Sequence, residues 1–346
     1  MPISLVLDFT EREARIMSGK FSKLLLVLIL GSIAASAAED GSAKAILNNA
    51  RERANLSENG AKPYRMSISF RAFHLKAGDI DGKYTLFWNS DDQSRSESKL
   101  GDFREIKVNL PAETWIKSNM AFAPASIETV RLMIRQFQDL GGTSDLTHFG
   151  KVRSEKVDEI PAQCFDANNK YHRYRMCFSA ADGALLRVED RSDTSKSVYE
   201  YSDYNQVGSK RYPRRMSLWE SGQKMVEATI DSVQEWAPAG DELKPPPGSV
   251  AYRVCKSGRA TPPKATYTPD PLYPEDIKVR RNSMVVLRVR LSPQGKISAL
   301  EVHRSGGPEF DREAIRAVSQ WKFEPAKCAG EPIPVEINIE VNIRLY

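Results

Sequence analysis

"SGGPEFDREAIRAVSQWKFEPA" (residues 305–326) sets a short helical segment directly against a Trp-x-Phe-x-Pro knot. Asp311 reads as the N-cap, and Phe310 before it as a staple onto Ile315. Ala314, Ile315, Val318 and Trp321 recur at helical spacing and form the stripe expected to be buried. Pro325 forbids a restart, so Trp321 and Phe323 anchor the helix end while the chain turns. The next stretch, "VEINIEVNIRLY" (335–346), alternates Val335, Ile337, Ile339, Val341, Ile343 and Leu345 with polar residues up to Tyr346. Twelve residues of period two predict a strand about 40 Å long, buried on one face and wet on the other.

Upstream, "SMVVLRVRLSPQGKISALEVHRS" (283–305) is two alternating runs joined by Ser292-Pro293-Gln294-Gly295, a turn sequence. Val285, Leu287, Val289 and Leu291 share one face. Two strands, a helix and a final strand make a small sheet with open edges, and a long edge strand is a template for another.

These residues resemble the C-terminal domain of TonB, the energy transducer of Gram-negative envelopes. The family's pattern is met at Tyr273-Pro274, Gly295, Ser305-Gly306, Asp311, Ala314, Ala317-Val318, Trp321, Phe323, Pro325-Ala326 and Pro334-Val335. The resemblance covers residues 262–346. Ser283 stands where a Gly usually opens the first strand, and Leu272 where transducers often carry a polar residue. The resemblance implies capture of an extended peptide from an outer-membrane transporter or other envelope protein. The expected contact edge is Val341, Asn342, Ile343, Arg344, Leu345 and Tyr346. The same strand also offers a route to a homodimer.

At the other end, "MSGKFSKLLLVLILGSIAASAAED" (17–40) has two lysines, an apolar run from Leu24 to Leu30 and small residues with Ala35-Ser36-Ala37. That is the layout of a signal peptide. The apolar stretch is about 15 residues, short of the roughly 20 that span a bilayer. Residues 1–37 therefore read as an extension and a cleaved signal peptide, delivering the protein to the periplasm or cell envelope. The alternative is an uncleaved inner-membrane anchor. Export fits the four cysteines, an even count in an oxidising compartment. Cys164 and Cys177 flank a polar turn and would face each other in a hairpin, which leaves Cys255 for Cys328.

Between these ends, "AKAILNNARERANLS" (43–57) places Ala43, Ile46, Leu47, Ala50 and Ala54 on one helical stripe, and "ASIETVRLMIRQFQ" (125–138) gives a second helix stopped by Gly141-Gly142. Around them lie short alternating strands: "YRMSISFRAF", "GKYTLFWNS", "REIKVNL", "ETWIKSN" and seven more from residue 151 to 236. That order predicts a curved antiparallel half-barrel holding two helices. It resembles the LolA-like family of periplasmic lipoprotein carriers and sensors over residues 42–238, which makes a lipid or lipoprotein carrier or sensor the alternative function. The local match is "YSDYNQVGSKRYPRRMSLW" (201–219), with Gly208 and Pro213 in the family's places. The resemblance implies a cavity for lipid acyl chains, and the plainer alternative is that the apolar faces pack on the helices. "APAGDELKPPPGS" opens a Pro-rich linker, 239–261, between the two domains. At about 3.1 Å per residue, even the whole Pro-rich stretch from Ala237 to Asp270, roughly 35 residues, spans only about 110 Å when extended. The fold class is thus α+β, a LolA-like domain followed by a β-β-α-β TonB-like domain.

Composition narrows the function further. The 346 residues are 41% hydrophobic and 27% charged with net charge +5, a globular balance with no Lys/Arg block of the kind nucleic-acid binding needs. No two cysteines have zinc-ligand spacing. No G-x-S-x-G, H-E-x-x-H or phosphate loop occurs, and His74, His148, His172 and His303 are scattered singly. The expectation is a binding protein, with no catalytic residues, metal or cofactor.

Overall fold

A computed structural model describes residues 30–344, apart from 59, 75–77, 140–145, 170–171, 192–195, 239, 254, 256–259 and 276–281. The described chain is mostly β, with three helices and open sheets. Most of the expected signal peptide, Gly141-Gly142, Leu345 and Tyr346 lie outside the described residues. Two compact units are formed among the described residues, one of 30–110 with Trp115–Val250, the other of 251–344 grouped with Pro111–Thr114.

The first unit runs α1 (Leu30–Ala54), β1 (Tyr64–Ala72), β2 (Ile80–Ser90), β3 (Gln93–Leu100), β4 (Phe103–Asn109), β5 (Glu113–Ser118) and α2 (Ala125–Asp139). Then come β6 (His148–Phe149), β7 (Arg153–Val157), β8 (Ile160–Asn168), β9 (Arg173–Ser179), β10 (Leu185–Arg191), β11 (Lys196–Val207), β12 (Lys210–Glu220) and β13 (Gln223–Glu235). The strands pair in the order β5-β4-β3-β2-β1-β13-β12-β11-β10-β9-β8, and β8 also carries β6 and β7. Joining β1 to β13 merges two meanders into one sheet.

The expected stripe of α1 holds, with Ala43, Leu47 and Ala50 buried. They share a core with Ile127, Val130, Met133 and Phe137 of α2, Met66, Ile68 and Phe70 of β1, and Val226, Ala228 and Ile230 of β13. Each large side chain buried there stabilises the fold by about 1.5–3 kcal/mol. Among the described residues no helix is long and apolar enough to cross a membrane. Ala35-Ser36-Ala37 stand within α1. Cys164 and Cys177 are direct partners in the β8–β9 ladder and are disulfide-bonded, with Cα atoms 4.1 Å apart.

β14 (Val250–Arg253) lies at the division. The second unit continues with β15 (Ala260–Thr261), β16 (Lys264–Tyr267), β17 (Ser283–Leu291), β18 (Ile297–Arg304), α3 (Pro308–Val318), β19 (Lys322–Glu324), β20 (Lys327–Cys328), β21 (Glu331–Pro332) and β22 (Val335–Ile343). Its main sheet has the order β18-β17-β22. Val285, Leu287, Val289 and Leu291 are fully buried against Phe310, Ala314 and Val318 of α3 and the apolar face of β22. On the other face Arg288 pairs with Glu336 and Glu301, and Arg290 with Glu336, tying the three strands in register. Cys255 is bonded to Cys328, and the neighbouring Ala260 faces Cys328 in the β15–β20 ladder.

The helix differs from expectation at its start. It begins at Pro308, with Gly307 as N-cap and no side-chain cap, so Asp311 sits in the first turn. The Asp311 carboxylate accepts the Gly306 N–H at 2.9 Å and the Ser305 hydroxyl at 2.5 Å, holding the loop before the helix. The helix thus starts four residues earlier than expected, and its buried face is Phe310, Ala314, Ala317 and Val318, with Ile315 37% exposed. The physical reason is Pro308, whose fixed φ suits the first helical position better than a side-chain cap at 311.

The knot has a specific task. The Trp321 indole N–H donates to the Pro269 carbonyl at 3.2 Å, and Phe323 lies in β19, paired with β16. The knot thus clamps the incoming segment to the helix end. Gly295, at φ 72, lets the β17–β18 turn press on it: a Cβ there would stand 2.1 Å from the Phe323 carbonyl oxygen. Gly295→Ala is therefore expected to destabilise by more than about 2 kcal/mol, through left-handed strain plus the clash. Gly222→Ala, at φ 80 with nothing within 4 Å, carries the strain alone and should cost only about 1 kcal/mol. Urea unfolding followed by tryptophan fluorescence compares the two.

Candidate functional site

Two places in the described structure bear on the expected binding roles. The first is the rim of the small sheet. β22 pairs with β17 along one side, from Ser283↔Ile343 to Leu291↔Val335. Its other side has no sheet partner among the described residues. Ile337, Ile339, Val341 and Ile343 are buried, while Glu336, Glu340, Asn342 and Arg344 are exposed. A strand of nine residues presents about 30 Å of main chain, with alternate N–H and C=O groups pointing outward.

Of the expected contact residues, Val341, Asn342 and Ile343 lie in β22, Arg344 follows the strand, and Leu345 and Tyr346 fall outside the described residues. Ser283, the departure from the usual Gly, donates its hydroxyl to the Gly306 carbonyl at 2.9 Å. It closes the gap between the first strand and the loop before α3. Leu272 is exposed.

The second place is a cavity of about 490 Å³ in the first unit, between α2 and strands β1–β4. Its floor is set by strand register in two rows, Leu86–Ser96–Lys107 and Trp88–Ser94–Asn109, with Tyr84 of the adjoining Tyr84–Ser98–Glu105 row at its margin. β3 puts Ser94 and Ser96 at its centre. Arg131 of α2 reaches over the adjoining row, pairing with Glu105, bonding Ser98 at 3.2 Å and Glu128 at 2.8 Å, and lying over the Tyr84 ring. Burial opposes its charge, but Glu128, Tyr84 and Glu105 outweigh that and raise its pKa.

Lys107 is pushed the other way, its ammonium disfavoured by burial and then by Arg131. Tyr64 stacks on Trp88 at 5.4 Å between ring centroids, and burial pushes its hydroxyl up to about 12. The Tyr64 and Ser57 hydroxyls are 2.9 Å apart.

β3 is the element that the hydrophobic pattern misses. Its sequence, "QSRSESKL", has no apolar alternation, yet both faces are used. Serine alternating strictly with Arg, Glu and Lys is itself a period-two signal, in size and charge rather than hydropathy. Among the described residues no group of three or more His, Cys, Asp and Glu side chains is placed to hold a metal ion. His172 contacts Asp190 at 3.0 Å, which raises its pKa against the opposing effect of burial.

Residues 269–345 match the family model described as Gram-negative bacterial TonB protein C-terminal. Over 82 residues the chain is 32% identical to Protein tonB2 of Pseudomonas aeruginosa, a match taking in 23% of this chain. The chain spans 30% of that relative's length. Two solved structures resemble the chain at low identity. A LolA superfamily protein from Nitrosomonas europaea is 11% identical, with TM-score 0.41, over 58% of this chain and 96% of that one. A DUF1329 family protein from Desulfovibrio piger is 8% identical, with TM-score 0.43, over 59% and 95%.

The cavity rests on the pair of Arg131 with Glu105, both largely buried. Arg131→Leu is expected to destabilise by about 3–5 kcal/mol, because it leaves a buried carboxylate unpaired. Adding Glu105→Leu should recover most of that loss. Denaturant midpoints of the single and double variants check both.

Proposed function

We propose that this chain is a cell-envelope protein of TonB type, whose C-terminal unit captures an extended segment of a partner as an added strand beside β22. Residues 341–346 form the contact edge in this reading. The observation that carries it is that, among the described residues, β22 has no strand on its other side in a sheet of three strands. Main-chain hydrogen bonds supply affinity there, and alternate side chains supply register. The family match over 269–345 supports an outer-membrane transporter or another envelope protein as the partner.

The reading carries with it a LolA-like half-barrel at 42–238, a linker at 239–261 and a β-β-α-β domain at 262–346. It also carries delivery to the periplasm by a cleaved signal peptide, and coupling to outer-membrane transport. The carrier alternative gains nothing from the cavity. Each buried methylene gains about 0.8 kcal/mol in apolar surroundings, but this floor offers serines, Asn109 and Lys107, whose desolvation opposes an acyl chain.

The test uses the full chain and synthetic peptides from the periplasmic N-termini of outer-membrane transporters. Strand addition should slow amide exchange at alternate residues from Val341 to Arg344. Successive residues of a strand point their N–H groups to opposite sides. One of Asn342→Pro and Ile343→Pro therefore removes an outward donor, and the other removes one bonded to β17. One variant should thus lose roughly tenfold or more in affinity while keeping its unfolding midpoint. Unchanged exchange with every peptide overturns the reading. Protection that appears only as protein concentration rises, with a doubled mass in sedimentation, assigns the edge to a homodimer instead.

A further inference from the structure

The face of β2–β5 opposite α2 carries a feature that strand capture does not use. Register places Lys83, Lys99 and Arg104 directly opposite one another on three adjacent strands. All three are exposed. Like charges facing each other across strands repel, with Cβ atoms only about 4.5–5.5 Å apart. Natural sheets set opposite charges at such positions, and this same sheet does so elsewhere: Arg71 faces Asp81 and binds it at 2.7 Å.

The neighbouring carboxylates give the row no relief. Asp81, two residues before Lys83, is held by Arg71, and Glu97, two residues before Lys99, is held by Arg95 at 2.7 Å. No ion pair among the described residues engages Lys83, Lys99 or Lys117. Arg104 spends one guanidinium nitrogen on the carbonyls of Gly101 and Phe103. Asn119, just after β5, braces Arg104 by accepting its backbone N–H at 2.8 Å and donating to the Asp102 carbonyl.

These cations converge. Lys83, Lys99, Arg104 and Lys117 line a single groove of about 510 Å³, together with Thr85 and Ile106. Its two lining carboxylates are already engaged, Glu97 by Arg95 and Glu105 by Arg131. We propose that this groove is an anion-binding site for phosphate groups, with Lys83, Lys99, Arg104 and Lys117 as its ligands.

Three features favour phosphate over other anions. A phosphate group carries up to two charges and several acceptor oxygens, which suits cations set one strand spacing apart. An acidic peptide would find no main-chain partner here, because β2, β3 and β4 each have a strand on either side. No lining residue is aromatic, so a nucleobase has no ring to stack on. The phosphate can belong to a lipid headgroup or to a free compound.

The experiment uses the full chain at low ionic strength, with chloride as the matched control. Inorganic pyrophosphate is added while the Tm is followed, and sedimentation is measured with phosphatidylglycerol-containing vesicles against phosphatidylcholine alone. In Lys99→Glu the new carboxylate sits between Lys83 and Arg104. This variant should therefore have a higher Tm than the parent without ligand, and should bind pyrophosphate roughly tenfold more weakly or worse. Lys99→Gln should fall between the two. A Tm rise with pyrophosphate that exceeds the chloride control supports the site with a free phosphate source. Binding only to the phosphatidylglycerol vesicles, lost in Lys99→Glu, supports it with a headgroup source. No response to either, or equal responses in the parent and Lys99→Glu, overturns it.

Discussion

Three strands covered on one face by a single helix must leave two strand edges open, and the second unit is organised around that constraint. β17 takes the only position with neighbours on both sides, and it carries the apolar residues Val285, Leu287, Val289 and Leu291, all fully buried. Its partners close the core from either side, with β22 supplying Ile337, Ile339, Val341 and Ile343. The free side of β22 follows from that arrangement: among the described residues the sheet has no further strand to cover it. Exposed Glu336, Glu340, Asn342 and Arg344 keep the strand soluble without blocking its main chain, in the way edge strands are commonly protected.

The knot after α3 serves the same unit by joining what the sheet leaves separate. Trp321 holds the incoming segment through Pro269, Phe323 joins it through β16, and Gly295 lets the hairpin turn rest on the Phe323 carbonyl. The Cys255–Cys328 disulfide anchors the preceding chain to the same corner. Tyr273 completes the packing, with its ring edge-on to Phe310 at 6.0 Å. A turn, a helix end and an incoming strand thus meet at one point, which explains why the Gly, the Trp and the Phe occur together.

In the first unit the decisive element is β3. Its serines make the floor of the cavity under α2, and its charged residues make the centre of the cationic row on the other face. An apolar strand at this position would extend the core of β1, β12 and β13. A polar one converts that end of the sheet into two hydrophilic surfaces, with Arg131 and Glu105 as the buried link between helix and sheet. The cavity is therefore polar where a container for hydrocarbon would be apolar.

Much of this was legible in the residues themselves. Period-two runs located β1, β2, β17, β18 and β22, helical stripes located α1 and α2, and the spacing of Cys164 and Cys177 around a polar turn fixed their pairing. These signals are local, because the burial of one face is written into every second or fourth residue. The start of α3 was less legible, since Asp311 and Pro308 both resemble a helix start and only the packing of Phe310 separates them. β3 escaped because hydropathy carries no trace of a strand that is polar on both faces. The row of Lys83, Lys99 and Arg104 lay beyond any reading of the chain in order. Those residues are far from any basic block in sequence, and become neighbours only when antiparallel register sets three strands side by side. The residues read alone located the helices and the strands that bury an apolar face, because that burial is written into local spacing. The tertiary structure decided which charges meet, because register is a property of paired strands and not of any one of them.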